Sequence, residues 1–262
     1  MSDTIIWITG ATEGIGLELA KSAPYPGARI INLSRRKHPD YESVQFDLTD
    51  PSTWDNVRRH IEAELGTFKG KRALFIQSAY WRDSHGTLEK TNPGTYRKGL
   101  FANVAGPLAM GEMFVRACKP GYESGLVMMS AGAAVACLES LSIYAPGKIA
   151  IEHWAQIVDQ ELGRAPGKPW VVALRPGGVF TAEVKRLVEN LDPAMPNAEH
   201  IRANAHRRLK PDQAAKEIWK VLPPPPGISL ISFAPVPDYP GMPFEGERMK
   251  QVSVPGWQLV YR

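Results

Sequence analysis

The stretch TIIWITGATEGIG, from Thr4 to Gly16, decides the fold. Its first six residues, Thr4–Thr9, are mostly apolar and β-branched, which predicts a buried strand. Glycines follow at once in the spacing G-x3-G-x-G, and residues Gly14 to Ser22 then place apolar side chains at helical intervals. A buried strand, a glycine-rich turn and a helix in this order predict the opening unit of a doubly wound α/β sheet.

The rest of the chain repeats this alternation of apolar strands and helices. Continuous apolar strands separated by helices predict a seven-stranded, mainly parallel sheet with helices on both faces. We expect a single domain over residues 1–234, with a substrate-lid segment at about 182–210, and an extension over residues 235–262. The predicted strands are Thr4–Thr9, Arg29–Leu33, Val44–Phe46, Arg72–Gln77, Gly125–Met129, Trp170–Leu174 and Ile228–Phe233, and the predicted helices are Gly14–Ser22, Pro51–Leu65, Pro93–Cys118, Ile143–Leu162 and Pro211–Leu222.

Length and composition exclude several classes of protein. The chain has 262 residues, of which 44% are hydrophobic and 22% charged, so it can bury a sizeable core and is not wholly disordered. It has no window of about 20 apolar residues, and we expect no membrane span. The net charge is only +4, from 31 basic and 27 acidic residues, and the densest basic run, residues 206–210, does not predict nucleic-acid binding.

The cysteines and histidines indicate neither a redox pair nor a metal site. Cys118 and Cys137 do not form a CxxC pair, and the N-terminus lacks the basic region of a secretory signal. A reduced, cytoplasmic setting is therefore expected. His85 and His153 have no metal-ligand spacing with other His or Cys, and no metal is predicted.

Proline is unevenly spread along the chain. Nine of the 23 prolines fall within residues 223–262, which also contain Tyr239, Phe244, Trp257 and Tyr261. These aromatic side chains favour docking over free disorder. We expect the extension to pack over the substrate pocket or onto a neighbouring subunit.

The glycine-rich turn after the first strand has the properties of a phosphate site. Glycine lets the backbone turn tightly and approach a diphosphate, and the free N–H groups at the start of a helix attract negative charge. The turn is therefore predicted to bind the diphosphate of a dinucleotide, through Gly10, Thr12, Glu13, Gly14, Ile15 and Gly16.

The glycine spacing, together with Tyr144-x3-Lys148 after the fifth strand, resembles the short-chain dehydrogenase/reductase family in its compact, single-domain branch. The resemblance covers Thr4 to about Leu222 and implies a Rossmann fold. Residues i and i+4 share one face of a helix, so the ammonium of Lys148 can lie near the phenol of Tyr144. The neighbouring cation, together with the positive nicotinamide of the oxidised cofactor that the resemblance implies, would lower the pKa of Tyr144. The resemblance thus implies that Tyr144 is the acid–base catalyst.

The resemblance implies two further catalytic residues. Ser130 follows the fifth strand, where family members carry a serine that polarises the substrate carbonyl. The usual interval from that serine to the tyrosine is thirteen residues, and from Ser130 to Tyr144 it is fourteen. Asn103 matches an asparagine whose neighbourhood holds a water that links the lysine to solvent.

Segments after three other strands match cofactor-binding positions of the family. The family has an aspartate against adenine after the third strand and a Pro-Gly-x-x-x-Thr loop after the sixth, which holds the carboxamide and phosphates. After the fourth strand most members carry Asn-Asn-Ala-Gly, where this chain has Gln-Ser-Ala-Tyr, so that Tyr80 either narrows the site or points an aromatic ring towards it. The residues implied are Asp47, Leu48, Ser78, Ala79, Tyr80, Pro176, Gly177, Val179 and Thr181, together with Tyr144 and Lys148.

The end of the second strand favours NADP(H) over NAD(H). Ser34 stands where an acidic residue would accept hydrogen bonds from the ribose, and Arg35 and Arg36 follow it. A guanidinium suits the phosphate that distinguishes NADP from NAD. Glu13 argues the other way, because many NADP-using members have a basic residue before the second glycine.

The resemblance implies a small-molecule substrate, a ketone or diketone that is reduced to an alcohol, or the reverse. The loop layout is loosely similar to that of the sepiapterin and benzil reductases. Loops at the carboxyl ends of the strands suggest a mainly apolar pocket. Its expected residues are Tyr80, Trp81, Ala131, Leu138 and Phe180.

Other functions stay open. A dinucleotide-sensing regulator or scaffold with the same fold and little turnover is supported by the altered motif at Tyr80 and by Pro146 inside Tyr-x3-Lys. A sugar-nucleotide epimerase of the extended branch is disfavoured by the short chain and the glycine spacing.

Family members usually pair through the long helices predicted here at Pro93–Cys118 and Ile143–Leu162, which implies a homodimer or homotetramer.

Overall fold

The computed structural model describes residues 2–83, 86–135, 139–163, 165–191, 198–205, 208–233 and 257–259. The strands are β1 (Thr4–Thr9), β2 (Arg29–Ser34), β3 (Glu42–Gln45), β4 (Arg72–Gln77), β5 (Glu123–Met129), β6 (Trp170–Arg175), β7 (Leu230–Ser232) and β8 (Trp257–Leu259). They form one sheet in the order β3-β2-β1-β4-β5-β6-β7-β8, and all neighbouring strands are parallel.

Strands β1 and β4 lie side by side at the point where the strand order reverses. In doubly wound sheets a ligand binds in the crevice at the carboxyl ends of the two strands that meet there. The glycine-rich turn follows β1, and Gln77-Ser78-Ala79-Tyr80 ends β4 and begins the loop beyond it. The fold therefore brings these two segments to the same edge of the sheet.

Helices cover both faces of the sheet. A π-helical turn, Phe101–Ala105, joins two of them, and none in the described ranges is both long and apolar enough to span a membrane. The described helices are α1 (Gly14–Lys21), α2 (Trp54–Thr67), α3 (Pro93–Leu100), α4 (Gly106–Ala117), α5 (Tyr144–Leu162), α6 (Ala182–Glu189), α7 (Ala198–Ala205) and α8 (Pro211–Lys220).

The core is divided by the sheet into two layers. Side chains alternate along a strand, so Ile5 and Trp7 of β1 pack towards α2, α4 and α5, whereas Ile6 and Ile8 pack towards α1 and α8. All four side chains are buried. Each layer is a continuous apolar cluster, which explains why β1 is apolar at successive positions.

The doubly wound α/β fold, the presence and chain order of the seven predicted strands, and four of the five predicted helices are confirmed. The helix predicted at Pro93–Cys118 was wrong as one continuous element, because the π turn divides it. The third strand lies at Glu42–Gln45, where pairing with β2 fixes it, rather than at Val44–Phe46. The sheet also contains an eighth strand, Trp257–Leu259, that lacks a long apolar run and was not predicted.

The described part of the extension lies at the edge of the sheet. Leu230 of β7 pairs with Trp257 of β8, and Ser232 pairs with Leu259. Residues 234–256 and 260–262 lie outside the described residues, so their expected packing over a pocket or neighbouring subunit stays a prediction.

Candidate active site

The glycine-rich turn has the backbone geometry of a phosphate-binding loop. Gly10 and Gly14 have positive φ angles of 74° and 62°, which favour glycine. A Cβ on Gly16 would lie 2.6 Å from the carbonyl oxygen of Gly10, so only glycine lets α1 start this close to β1. Free N–H groups at the start of α1 thus face the crevice, and the turn fits a diphosphate.

A groove with a cavity volume of about 310 Å³ runs along the carboxyl edge of the sheet. It contains most of the residues predicted to bind the dinucleotide, and Trp81, Arg82, Asp83 and Glu183 extend its lining. Tyr144, Lys148, Pro176, Gly177 and Val179 are not part of its described lining. The predicted residues that it brings together are Gly10, Thr12, Glu13, Gly14, Ile15, Gly16, Ser34, Arg35, Arg36, Asp47, Leu48, Ser78, Ala79, Tyr80 and Thr181.

The loops after β1 and β4 are held together by one threonine. Oγ1 of Thr9 accepts hydrogen bonds from the backbone N–H groups of Ser78 and Ala79, at 2.8 and 2.9 Å. A Cβ on Gly10 would lie 3.3 Å from Cβ of Ala79, so the two loops are in close contact. The small side chain of Ala79 therefore leaves room for the close approach of the two loops at the groove.

The loop after β6 closes the groove from the other side. A Cβ on Gly14 would lie 3.6 Å from Cγ2 of Thr181, so this threonine is next to the glycine-rich turn. Its Oγ1 also accepts a hydrogen bond from the N–H of Val184 and caps α6. Gly177 has a positive φ of 77°, and Val179 is buried. Thr181 thus lines the groove, whereas the side chain of Val179 is buried beneath the loop and does not line it.

The rim of the groove carries alternating charges. Nη2 of Arg36 lies 3.2 Å from Oε2 of Glu13, and Nη2 of Arg186 lies 3.8 Å from the other oxygen of that carboxylate. Glu183 pairs with Arg186 at 2.8 Å and with Arg82 at 3.6 Å. The sequence did not predict that Glu183 and Arg186 of α6 belong to this network, because charged residues on a helix usually just face solvent.

The tyrosine and lysine of the motif lie together at the start of α5. Nζ of Lys148 is 5.5 Å from the ring centroid of Tyr144 and 5.6 Å from that of Tyr80, and it donates a hydrogen bond to the carbonyl oxygen of Met129 at 2.9 Å. The rings of Tyr80 and Tyr144 meet edge to face, with centroids 5.4 Å apart. Tyr80 lines the groove, so it connects the groove to the Tyr144–Lys148 pair.

Burial dominates the protonation of this pair. It raises the pKa of Tyr144 to about 12, and the positive charge of Arg208 acts in the opposite direction. It lowers the pKa of Lys148 to about 8, against the negative charge of Glu152. Within the chain itself, loss of hydration outweighs nearby positive charge in setting the pKa of Tyr144. The expected lowering, which also needs the positive nicotinamide of the oxidised cofactor, stays a prediction.

Ser130 belongs to a buried polar cluster behind the site. Its hydroxyl donates to Oε1 of Glu152 at 2.6 Å, and the guanidinium of Arg175 binds both oxygens of that carboxylate at 2.6 and 2.7 Å. All three residues are less than 10% exposed. Counting back the family's usual thirteen residues from Tyr144 gives Ala131, which has no hydroxyl. The structure therefore engages the Ser130 hydroxyl with Glu152, which differs from the role expected from the sequence.

Asn103 holds the loop after β4. Its Oδ1 accepts from the N–H of Trp81 at 2.7 Å, and its Nδ2 donates to the carbonyl oxygen of Trp81 at 3.1 Å. The π turn contains Asn103, and a Cβ on Gly147 would lie 2.9 Å from its carbonyl oxygen. Asn103 thus ties α5 to the segment that presents Tyr80, a positioning contact that the sequence did not reveal.

The predicted substrate pocket is only partly assembled by the described residues. Tyr80 and Trp81 line the groove, and the ring of Trp81 packs beside Gly99 of α3. Ala131 and Phe180 are half-buried at the ends of β5 and β6 and do not line it. Leu138 lies outside the described residues.

Comparisons with known proteins relate the chain to one family. A family model described as short chain dehydrogenase matches residues 4–192. Dehydrogenase/reductase SDR family member 7 of Mus musculus is 23% identical over 247 residues, which cover 84% of this chain and 70% of that protein. The short chain dehydrogenase pigC of Monascus ruber is 23% identical over 62% of this chain, and the match spans 59% of its own length.

Solved structures show the same fold at low sequence identity. The YIR035C short chain dehydrogenase/reductase of Saccharomyces cerevisiae has a TM-score of 0.73 and 17% identity, over 87% of this chain and 95% of that one. A short chain dehydrogenase of Shigella flexneri complexed with NADP has a TM-score of 0.67 and 19% identity, over 85% and 91% of the two chains. These similarities support the Rossmann fold.

Proposed function

The chain belongs to the short chain dehydrogenase family of oxidoreductases, and from that premise we propose that it interconverts a ketone or diketone and an alcohol with NADP(H). The observation that carries the proposal is the buried Tyr144–Lys148 pair at the start of α5, which Tyr80 joins to the dinucleotide groove. A regulatory protein would need the groove but no such acid–base pair.

The groove fits a nicotinamide dinucleotide. The glycine turn and the start of α1 suit a diphosphate, and Asp47 and Leu48 line the part of the groove beside β3. When bound, the dinucleotide supplies a hydride or accepts one. This chain binds and orients it, and Thr181 closes the groove beside the glycine turn.

The preference for the 2′-phosphorylated cofactor rests on Arg35 and Arg36. No acidic residue ends β2, and both arginines line the groove. A guanidinium binds phosphate through charge-assisted hydrogen bonds. Glu13 competes for Arg36, so Arg35 carries the larger part of the expected preference.

Tyr144 acts as the proton donor in the proposed reduction. Its raised pKa keeps the phenol protonated at neutral pH, so the proton is available when negative charge develops on the substrate oxygen. The ammonium of Lys148 lies at nearly the same distance from both phenol rings, 5.5 and 5.6 Å from their centroids, and favours that negative charge electrostatically.

The test is consumption of NADPH with a panel of ketones and diketones that includes diacetyl and benzil. Tyr144→Phe is expected to lower turnover by roughly 10²- to 10⁴-fold and to leave the NADPH dissociation constant within about twofold, since it removes only the transferred proton. Tyr25→Phe, a half-buried tyrosine beside Arg72, is the matched control. Full turnover by Tyr144→Phe would contradict the proposed chemistry.

A sensing role is the second candidate, and one observation favours it. Ser130 is bound to Glu152, and Ala131 has no hydroxyl, so the family's serine position is unfilled. A sensor would bind NADPH and show no turnover with any carbonyl of the panel. The same assay therefore separates the two functions.

We also propose self-association through α5. Ile149 and Ile157 are each 47% exposed and lie eight residues apart, so they share one face of this helix. Apolar side chains on a shared face favour a homodimer or homotetramer. Analytical ultracentrifugation of Ile157→Glu should show a smaller species than the native chain, and an unchanged distribution would contradict this interface.

A further inference from the structure

We propose that the phenol of Tyr80 donates a hydrogen bond to the substrate oxygen, beside Tyr144, and so replaces the serine hydroxyl that other family members use. The inference rests on the carbonyl chemistry proposed above. It assigns to Tyr80 a direct contact with the reacting oxygen, where the sequence implied a residue that lines the cofactor site and the substrate pocket.

The first argument is that the expected donor is engaged elsewhere. The Ser130 side chain is 4% exposed, and its hydroxyl lies 2.6 Å from Oε1 of Glu152. Arg175 fixes that carboxylate through two further hydrogen bonds. To polarise a substrate, Ser130 would have to leave a buried acceptor, which costs free energy because the carboxylate would lose a partner.

The second argument is the position of Tyr80. Its ring meets that of Tyr144 edge to face at 5.4 Å, and the ammonium of Lys148 lies at nearly equal distances, 5.6 and 5.5 Å, from the two rings. Because Tyr80 also lines the groove, it lies between the groove and the acid–base pair. A substrate oxygen that reaches Tyr144 from the groove therefore passes beside Tyr80.

The third argument is that the neighbouring backbone is fixed. Both polar atoms of the Asn103 side chain bind the backbone of Trp81, the residue after Tyr80. Asn103 is itself buried in the π turn. A donor held in place in this way stabilises developing charge without reorganising during the reaction.

The proton balance of the step is simple. The substrate would be reduced by the hydride that NADPH supplies, which would form the new C–H bond at the carbonyl carbon while the cofactor is oxidised to NADP. The π electron pair moves onto oxygen, Tyr144 gives its proton to that oxygen to complete the alcohol, and the phenolate left on Tyr144 regains a proton from solvent. Tyr80 keeps its proton throughout. Burial raises the pKa of Tyr80 well above its usual value of 10, so its O–H remains a donor at every working pH.

Two other hydroxyls are the competing donors. The Oγ atoms of Ser140 and Ser142 are buried and have no hydrogen-bond partner among the described residues, and both serines precede Tyr144 in the loop before α5. Their substitution by alanine belongs in the same experiment, because either could serve a substrate oxygen instead of Tyr80.

The experiment measures kcat and KM for diketone reduction, and the NADPH dissociation constant, in the native chain and in Tyr80→Phe, Ser130→Ala, Ser140→Ala and Ser142→Ala. We expect Tyr80→Phe to lower kcat on the order of 10²-fold, as for removal of one donor to a developing oxyanion. Its NADPH dissociation constant and thermal midpoint should stay close to the native values. The serine variants should retain kcat within about threefold, since each leaves that donor in place.

A native kcat in Tyr80→Phe, with turnover lost in Tyr144→Phe, would overturn the role of Tyr80 and leave the proposed function standing. A fall in kcat confined to one of the three serine variants would overturn it in favour of that serine. Native turnover in Tyr144→Phe would instead refute the proposed function, and with it the role of Tyr80.

Discussion

The guanidinium of Arg36 and the carboxylate of Glu13 form an ion pair of 3.2 Å on the rim of the groove. The same guanidinium donates to Oγ1 of Thr12 at 3.1 Å. The neighbouring Arg35 lines the groove, and within the described part of the chain its guanidinium has no such partner. The positive charge of Arg36 is therefore shared with Glu13, whereas that of Arg35 is available to a phosphate.

Glu13→Gln should raise the affinity for NADPH more than that for NADH. The substitution releases Arg36 from its counter-charge, and an exposed ion pair is worth at most about 1 kcal/mol, so the selectivity should rise by about two- to fivefold. Fluorescence titration with both cofactors measures this ratio. The control is Glu18→Gln in α1, because Glu18 pairs with Lys21 and does not line the groove. Equal gains for both cofactors would show that Arg36 does not distinguish them.

Lys148→Met should remove a rise of stability with pH. The folded chain holds the lysine pKa near 8, below its ordinary value of 10.5, so between these values the unfolded chain binds more protons than the folded one. The native free energy of unfolding therefore gains up to about 3 kcal/mol from this group as the pH rises through that window.

The measurement is urea unfolding of both chains at several pH values from 7.5 to 10.5. The difference in unfolding free energy between native chain and variant should change across the window in favour of the native chain. Lys21→Met, an exposed lysine, should keep the native slope. Parallel pH profiles for Lys148→Met and the native chain would contradict the lowered pKa.

Glu152→Gln should destabilise the fold strongly. The carboxylate is the counter-charge of the buried Arg175, and breaking such a pair from one side costs roughly 3–5 kcal/mol. The double variant Glu152→Leu with Arg175→Met removes both charges and should lose less than the single variant. Urea unfolding measures the loss of stability in the single and the double variant. The control is Glu62→Gln, which removes one partner of the exposed Arg58–Glu62 ion pair. A single variant as stable as the control would contradict this account.

The sequence predicted the fold well because its signals are local. Six successive buried residues in β1, followed directly by glycines, already require a strand, a tight turn and a helix. The π turn at Phe101–Ala105 has no comparable signal, since its apolar pattern also suits an α-helix. The groove was predictable for the same local reason, because its residues follow the ends of β1, β2, β3, β4 and β6.

The number of residues between Ser130 and Tyr144 does not predict the hydrogen bond from Ser130 to Glu152. A second pattern in the sequence does predict it. Leu126 and Met128 face the core beside α5, and Ser130 has the same parity along the chain, so its side chain is directed to the same side. Tyr144, Lys148 and Glu152 recur every four residues, which places the glutamate on the face of α5 that meets the strand ends. The alternation of side chains along β5 and the four-residue recurrence on α5 together predict that Ser130 and Glu152 meet. The interval between Ser130 and Tyr144 alone does not predict this contact.

Removal of residues 235–262 should make the protein prone to associate through β7. Strand β8 occupies the hydrogen-bonding edge of β7, whose residues Leu230 and Ile231 are fully buried. Without β8 that edge is an unpaired strand, which readily pairs with another chain. Light scattering of the truncated chain over a concentration series should show growing assemblies, whereas the full chain should keep one size. The full-length variant Gln258→Pro tests the same strand without truncation, because proline at the middle residue of β8 has no backbone N–H to donate. If both behave as the full chain, β8 does not protect the edge.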